Sequence, residues 1–181
     1  TSGHLKRIAV SGGPAQTLAP VTNPRGGTWS EDGTIVYTPD FRDGLYRISA
    51  GGGTPAPLTR VDDGRAESNH RFPHFLPGGK RLLFLAQTAE GGSQRDDSMI
   101  HIAELDTGEF APVVAANSSM AYSPSGHLLF WREGALMAQR FDPGSGTISG
   151  DAVPLAEKVQ YSGNEFAAFS VSGVGLLAVQ K

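Results

Sequence analysis

One short hairpin pattern, repeated four times at a nearly constant spacing, limits what this chain can fold into. The four copies read TWSEDGTIVYT, HFLPGGKRLLFL, AYSPSGHLLFW and AFSVSGVGLLAV. Their anchoring glycines lie 46, 47 and 47 residues apart, at Gly33, Gly79, Gly126 and Gly173. A period of this length indicates that the chain repeats one supersecondary unit.

Each copy has the same internal order. An aromatic residue lies four positions before the glycine, a turn rich in Pro, Asp, Ser or Gly follows, and a short apolar run comes next. The aromatic residues are Trp29, Phe75, Tyr122 and Phe169. Short β-prone runs that flank a tight turn predict a β-hairpin in each copy.

A second pair of strands follows each hairpin. The segment LYRIS at 45–49 alternates apolar and polar residues, and IHIAE at 100–104 does the same, which is the period of a β-strand. Four strands in about 47 residues are typical of a β-propeller blade. A β-sandwich does not require a repeated sequence pattern, so we predict an all-β propeller of four-stranded antiparallel blades.

The order of the strands gives four blade equivalents in 1–181, which form a single propeller domain or a segment of a propeller. Half-blades are predicted at 1–21 and 164–181, and complete blades at 25–60, 70–114 and 118–159. Two ways of closing a ring stay open. The half-blades pair within one chain to make four blades, or two chains exchange half-blades in an eight-bladed ring with two-fold symmetry. We favour the second arrangement, a homo-oligomer.

The composition excludes several classes of function. There is no cysteine, which rules out disulfides and cysteine-based metal sites. The net charge of −3 argues against a nucleic-acid partner, because binding to phosphates needs a basic surface. No apolar run has the length of a membrane-spanning helix, and no targeting segment is present in the sequence.

The search for catalytic patterns predicts a protein that is not an enzyme and has no cofactor. No Gly-x-Ser-x-Gly motif is present to hold a nucleophilic serine on a strained turn. His70 and His74 lie four residues apart, but two histidines alone leave the shell of a metal ion incomplete. We therefore predict no metal site.

The candidate binding residues lie where the innermost strand of each blade begins. They are Arg25, His70, Arg71 and Glu165. Innermost strands line the channel of a propeller, so these side chains are predicted to form a polar rim at one mouth. Such a rim can bind a peptide or a carboxylate.

The turns SEDGT, LPGGK, SPSGH and SVSGV resemble the SPDGK repeats of TolB-type, WD-like propellers, although the Asp remains only at Asp32. More specifically, LKRIAVSGGPAQTLAP, GLYRISAGGGTPAPLT and HRFPHFLPGGKRLLFLA resemble the propeller C-terminal to bacterial eukaryotic-like serine/threonine kinases of the acidobacterial type. The resemblance implies an extracytoplasmic sensor module, periplasmic or in the cell envelope, and a longer propeller than this chain. The kinase motifs themselves are absent.

Together these observations predict a non-catalytic binding or sensor module for a protein, peptide or cell-envelope ligand. Two alternatives remain. One is a structural unit that assembles with a second copy of itself, and the other is an enzyme with a site in the channel.

Overall fold

A computed structural model describes residues 3–88 and 98–181 and contains sixteen strands. They are β1 (Gly3–Arg7), β2 (Gln16–Val21), β3 (Gly27–Trp29), β4 (Thr34–Tyr37), β5 (Tyr46–Ser49), β6 (Ala56–Pro57), β7 (Glu67–Phe75), β8 (Arg81–Thr88), β9 (Met99–Glu104), β10 (Phe110–Ala115), β11 (Met120–Ser123), β12 (His127–Arg132), β13 (Ala135–Asp142), β14 (Thr147–Glu157), β15 (Phe169–Val171) and β16 (Leu177–Val179). The one helical segment in the described part of the chain is a short 3-10 turn at Asp63–Arg65. Among the described residues, no helix is long and apolar enough to cross a membrane.

The strands form three four-stranded sheets flanked by two hairpins, as the sequence predicts. Blade 1 is β3–β6, blade 2 is β7–β10 and blade 3 is β11–β14, and every pairing is antiparallel. The N-terminal hairpin is β1–β2, and the C-terminal hairpin is β15–β16. This arrangement confirms a β-propeller architecture with three complete blades and two half-blades. Part of the range predicted for blade 2, residues 89–97, lies outside the described residues.

Four apolar clusters hold neighbouring units together, one at each interface between them. Leu18 and Ile35 belong to the cluster between the N-terminal hairpin and blade 1. Val36 and Phe84 belong to the cluster between blades 1 and 2. The largest cluster joins blades 2 and 3, and Leu129 and Leu136 of blade 3 pack against Val179 of the C-terminal hairpin. Each blade therefore buries both of its faces, which a single four-stranded sheet cannot do alone.

The final repeat is shifted by two residues from its predicted alignment. In the first and third copies the turn glycine, Gly33 or Gly126, donates its N–H to a residue three positions earlier. In the last copy Gly175 makes this bond, to Ser172, and has a φ of 81°, in the left-handed region that favours glycine. The predicted anchor Gly173 is therefore wrong. Val171, not Phe169, occupies the position of the aromatic residue.

The two hairpins do not pair with each other within the described part of the chain. β1–β2 and β15–β16 are separate two-stranded sheets, so β1 and β16 each have an unpaired edge. The described part of the chain therefore does not close into a four-bladed ring, which was the first of the two predicted arrangements.

Candidate functional site

The inner strands β3, β7, β11 and β15 line a central channel with two different ends. At the loop end, where these strands begin, Arg71 and Glu165 form an ion pair. At the turn end, the four β-turns surround an open cavity of about 630 Å³. Between the two ends lies a second cavity of about 280 Å³, bordered by Phe72, Met120 and Phe166.

The structure brings two of the predicted rim residues together. Arg71 is on blade 2, and Glu165 precedes β15 of the C-terminal hairpin. The ion pair therefore joins two units that have blade 3 between them in the order of the chain. Both residues are buried, with 4% and 6% of their surface exposed. Arg71 also donates to the side chain of Asn69 (2.6 Å) and to the carbonyl of Asn164 (3.2 Å). The ion pair therefore joins two parts of the channel wall to each other and does not project into solvent.

Burial shifts the pKa of both partners towards the neutral forms. It raises the pKa of Glu165, although Arg71 and Arg25 act in the opposite direction. It lowers the pKa of Arg71, although Glu165 opposes this change. For both residues burial therefore affects the pKa more than the charge of the partner does.

The other two predicted rim residues, Arg25 and His70, are not part of this ion pair. Arg25 is half-buried beside the pair and donates to the side chain of Asn23 at 2.6 Å. His70 is fully buried and contacts Thr59 and Glu67, so it does not reach the mouth of the channel. The reason is that β7 begins at Glu67, which places His70 inside the sheet beside Phe84.

Sequence reasoning missed two residues near the ion pair. Asn69 is two positions before Arg71, so strand alternation could have identified it. Tyr161 stacks on Trp131 with ring centroids 4.1 Å apart and donates its hydroxyl to the carbonyl of Asn117. Burial, followed by the charge of Glu165, raises the pKa of Tyr161 to about 12. No local pattern in the sequence marks this tyrosine.

Two non-glycine residues at the channel have a left-handed backbone. Phe72 has a φ of 54° and Glu165 a φ of 61°. Such conformations cost free energy and persist where surrounding contacts fix them, often at functional sites. Here the N–H of Phe72 donates to the carbonyl of Arg25, and the N–H of Ser119 donates to the carbonyl of Glu165. These bonds fix the inner strands of neighbouring units side by side.

The cavity at the turn end, hereafter the turn-end cavity, is where the channel opens to solvent. Its wall includes residues from all three blades and the C-terminal hairpin, among them Trp29, Asp32, His74, Phe75, Tyr122 and Val171. Trp29 is 55% exposed, an unusual exposure for so large an apolar side chain. Hydrogen bonds from the Ser30 hydroxyl and from Thr34 lower the pKa of Asp32. Burial lowers the pKa of His74, which favours a neutral imidazole.

The blades and their channel define this chain as part of a β-propeller. No protein-family model matches the sequence, and no curated protein sequence matches it. Solved structures do match. TolB from Acinetobacter baumannii is 22% identical, with a TM-score of 0.61 over 97% of this chain and 42% of TolB.

Two further solved structures match most of this chain. A chain of a nidogen/laminin complex is 15% identical, with a TM-score of 0.61 over 86% of this chain and 59% of that chain. A luciferin-regenerating enzyme is 11% identical, with a TM-score of 0.67 over 96% of this chain and 60% of the enzyme. This chain therefore spans between 42% and 60% of the length of these three proteins. At such identities the likeness shows the fold alone.

The prediction, made from missing motifs, that this chain is not an enzyme is wrong. The luciferin-regenerating enzyme shares the fold, so the propeller architecture does not exclude catalysis. The missing motifs belong to other folds, and a channel site assembled from several blades has no local sequence signature.

Proposed function

We propose that this chain is the ligand-binding part of a β-propeller that holds a protein or peptide segment in the turn-end cavity. The observation that carries the proposal is the cavity itself. It measures about 630 Å³ and is lined by all three blades and the C-terminal hairpin. This volume lies within the range of roughly 300–1,000 Å³ that is usual for ligand sites.

The chemistry of the wall supports a peptide ligand. Trp29, Phe75 and Tyr122 supply aromatic surface, the residue type that contributes most to binding at protein interfaces. Asp32 and the backbone of the turns supply polar groups beside that surface. The similarity in fold to a chain of a nidogen/laminin complex is consistent with a protein partner.

We also propose where this module acts. The resemblance to kinase-linked propellers supports an extracytoplasmic location and a role as the sensor part of a longer protein. The similarity in fold to TolB agrees with this proposal. Arg71 and Glu165 then act as positioning residues, because they fix blade 2 and the C-terminal hairpin relative to each other across the channel.

Replacement of Trp29 by alanine is expected to weaken peptide binding about tenfold or more, because a large aromatic side chain leaves the cavity wall. Random linear peptides displayed on phage are selected on the wild-type protein, and the dissociation constants of the selected peptides are then measured by calorimetry. Leu155→Ala is the control, since Leu155 is 49% exposed on the outer strand β14. Unchanged affinity for Trp29→Ala, or equal losses for both variants, would contradict the proposal.

A second candidate function, assembly with another copy, is favoured by the unpaired edges of β1 and β16. β15 and β16 correspond to the two inner strands of a blade, and β1 and β2 to the two outer strands. One copy's β16 placed beside another copy's β1 would complete a four-stranded blade. Exposed strand edges favour such pairing. Val174 and Leu176, exposed to 82% and 71%, add apolar surface beside β16.

The chain is then expected to have about twice its 19.0 kDa mass in solution, measured by light scattering. Ala178→Lys should convert it to a monomer, because this exposed residue of β16 would face the partner's blade 1. Ala111→Lys, at an exposed position of β10, is the matched control. A monomeric wild-type protein would rule out assembly with a second copy.

A further inference from the structure

Blade 2 contains a cavity that the proposed function does not use. Its volume is about 320 Å³, and it shares no lining residue with the two channel cavities. It lies where β7 begins, β8 ends and β9 begins. The residues that matter for its chemistry are Arg65, Glu67, Thr88, Met99 and His101.

His101 presents an unused acceptor in this cavity. The residue is only 2% exposed, and its ring is held between Phe84 and Phe110. Its Nδ1 lies 3.2 Å from the carbonyl of Met99, so Nδ1 carries the hydrogen and Nε2 carries a lone pair. Nε2 is buried and has no hydrogen-bond partner among the described residues. Burial lowers the pKa of His101, which agrees with a neutral ring.

Thr88 presents a second polar group without a partner. Its hydroxyl oxygen is buried and makes no hydrogen bond in the described part of the protein. A buried polar group that is left without a partner costs free energy. Two such groups line one cavity, where a ligand that donates hydrogen bonds would pair with both of them.

Glu67 supplies a negative charge to the same wall. Its Oε2 accepts from the N–H of Asp62 at 2.9 Å and lies 3.0 Å from Nε2 of His70. Although burial raises the pKa of Glu67, the bonds from His70 and Asp62 outweigh burial and lower it. Glu67 is therefore an ionised carboxylate that is 7% exposed.

The fully buried His70 is a positioning residue for this carboxylate. A carboxylate only accepts, so Nε2 of His70 donates its hydrogen to Oε2 of Glu67. On the other side of the ring, Nδ1 of His70 lies 2.7 Å from the Thr59 hydroxyl, which accepts from the N–H of Leu45 at 2.9 Å. This chain of bonds fixes the carboxylate from behind.

The wall therefore offers an imidazole lone pair, a carboxylate and a hydroxyl. A primary ammonium group has three N–H donors and one positive charge, which match these three acceptors. The nearby guanidinium of Arg65 is already paired with Asp62 at 3.4 Å. A metal ion fits less well, because no three His, Asp or Glu side chains in the described residues are grouped as a metal site requires. We propose that this cavity of blade 2 binds a primary ammonium group.

The test uses methylammonium as the probe and the side-chain nitrogen signals of ¹⁵N-labelled protein as the readout. A saturable shift of the His101 Nε2 signal is expected with methylammonium. None is expected with tetramethylammonium, which has the same charge but no N–H. Glu67→Gln should weaken methylammonium binding about tenfold or more, since a hydrogen bond to a charged group is lost. Glu104→Gln, on the exposed end of β9, is the matched control.

His101→Phe should abolish the binding while it keeps an aromatic ring in place. If His101→Phe does not fold, the methylammonium titration of the wild-type protein and of Glu67→Gln still tests the proposal. A His101 signal that does not move in excess methylammonium would overturn the proposal, as would an equal response to tetramethylammonium. Saturation by Zn²⁺ alone would also overturn it, in favour of a metal site. Tighter binding of Nα-acetyl-lysine amide than of methylammonium would support the proposal and identify a lysine side chain as the source of the ammonium group.

Discussion

A double-mutant cycle on Arg71 and Glu165 is expected to give a coupling free energy of about 3 kcal/mol. The variants are Arg71→Met, Glu165→Met and the protein with both substitutions, and the measurement is the free energy of unfolding in urea. The reason is that both residues are at most 6% exposed, so their attraction is only weakly screened by water. This coupling would show that the pair connects blade 2 to the C-terminal hairpin.

The exposed ion pair between Arg81 and Glu104 is the matched control. Its Nε–Oε1 distance is 3.0 Å, but the two side chains are 30% and 50% exposed. Its coupling should be below about 1 kcal/mol, because solvent screens surface pairs. Equal coupling free energies in the two cycles would show that burial does not strengthen the interaction between Arg71 and Glu165.

The doubly substituted protein should be about as stable as the wild type. Burial raises the pKa of Glu165 and lowers that of Arg71, so desolvation largely offsets the attraction of the two charges. Apolar replacements of similar size remove both terms together. The ion pair then serves to fix blade 2 and the C-terminal hairpin in one specific arrangement, and it adds little to the net free energy of unfolding.

Leu128→Ala is expected to lower the free energy of unfolding by about 3 kcal/mol, because a fully buried side chain leaves a cavity between blades 2 and 3. Leu177→Ala should cost about 1 kcal/mol, since Leu177 is 39% exposed and leaves less of a cavity. The two residues occupy equivalent positions, Leu128 opposite Tyr122 and Leu177 opposite Val171.

Thermal or urea unfolding of both variants checks this prediction at one concentration of protein. A loss for Leu177→Ala as large as that for Leu128→Ala would show that the C-terminal hairpin is packed on both faces in solution. That outcome would agree with assembly through β16. The same comparison of Leu177→Ala with Leu128→Ala, repeated in the Ala178→Lys variant, would separate packing within one chain from packing against a second copy.

The sequence determined the repeated unit and therefore the blades. An aromatic residue, a tight turn and an apolar run at a fixed spacing are local features, and a strand hairpin depends on local features. The alignment of the last copy failed because SVSGVG contains two glycines at 173 and 175. Either one can follow a turn, and only the hydrogen bond from Gly175 to Ser172 distinguishes them.

The sites depended on contacts that no local pattern records. Arg71 and Glu165 were predicted as separate rim residues, and the structure pairs them across 94 positions of the chain. His70 was predicted beside them, but it contacts Glu67 and Thr59 instead. His101 was not identified at all, because its significance is an unpaired nitrogen in a cavity.

What the sequence by itself determined is the strand pattern, the number of blades and the absence of cysteine chemistry. What only the tertiary structure decided is which polar groups meet in the channel, which remain unpaired in blade 2 and which edges stay open. The physical reason is the separation along the chain of the residues that interact. Turns and strands follow from neighbouring residues, whereas burial and charge pairing follow from how whole blades pack.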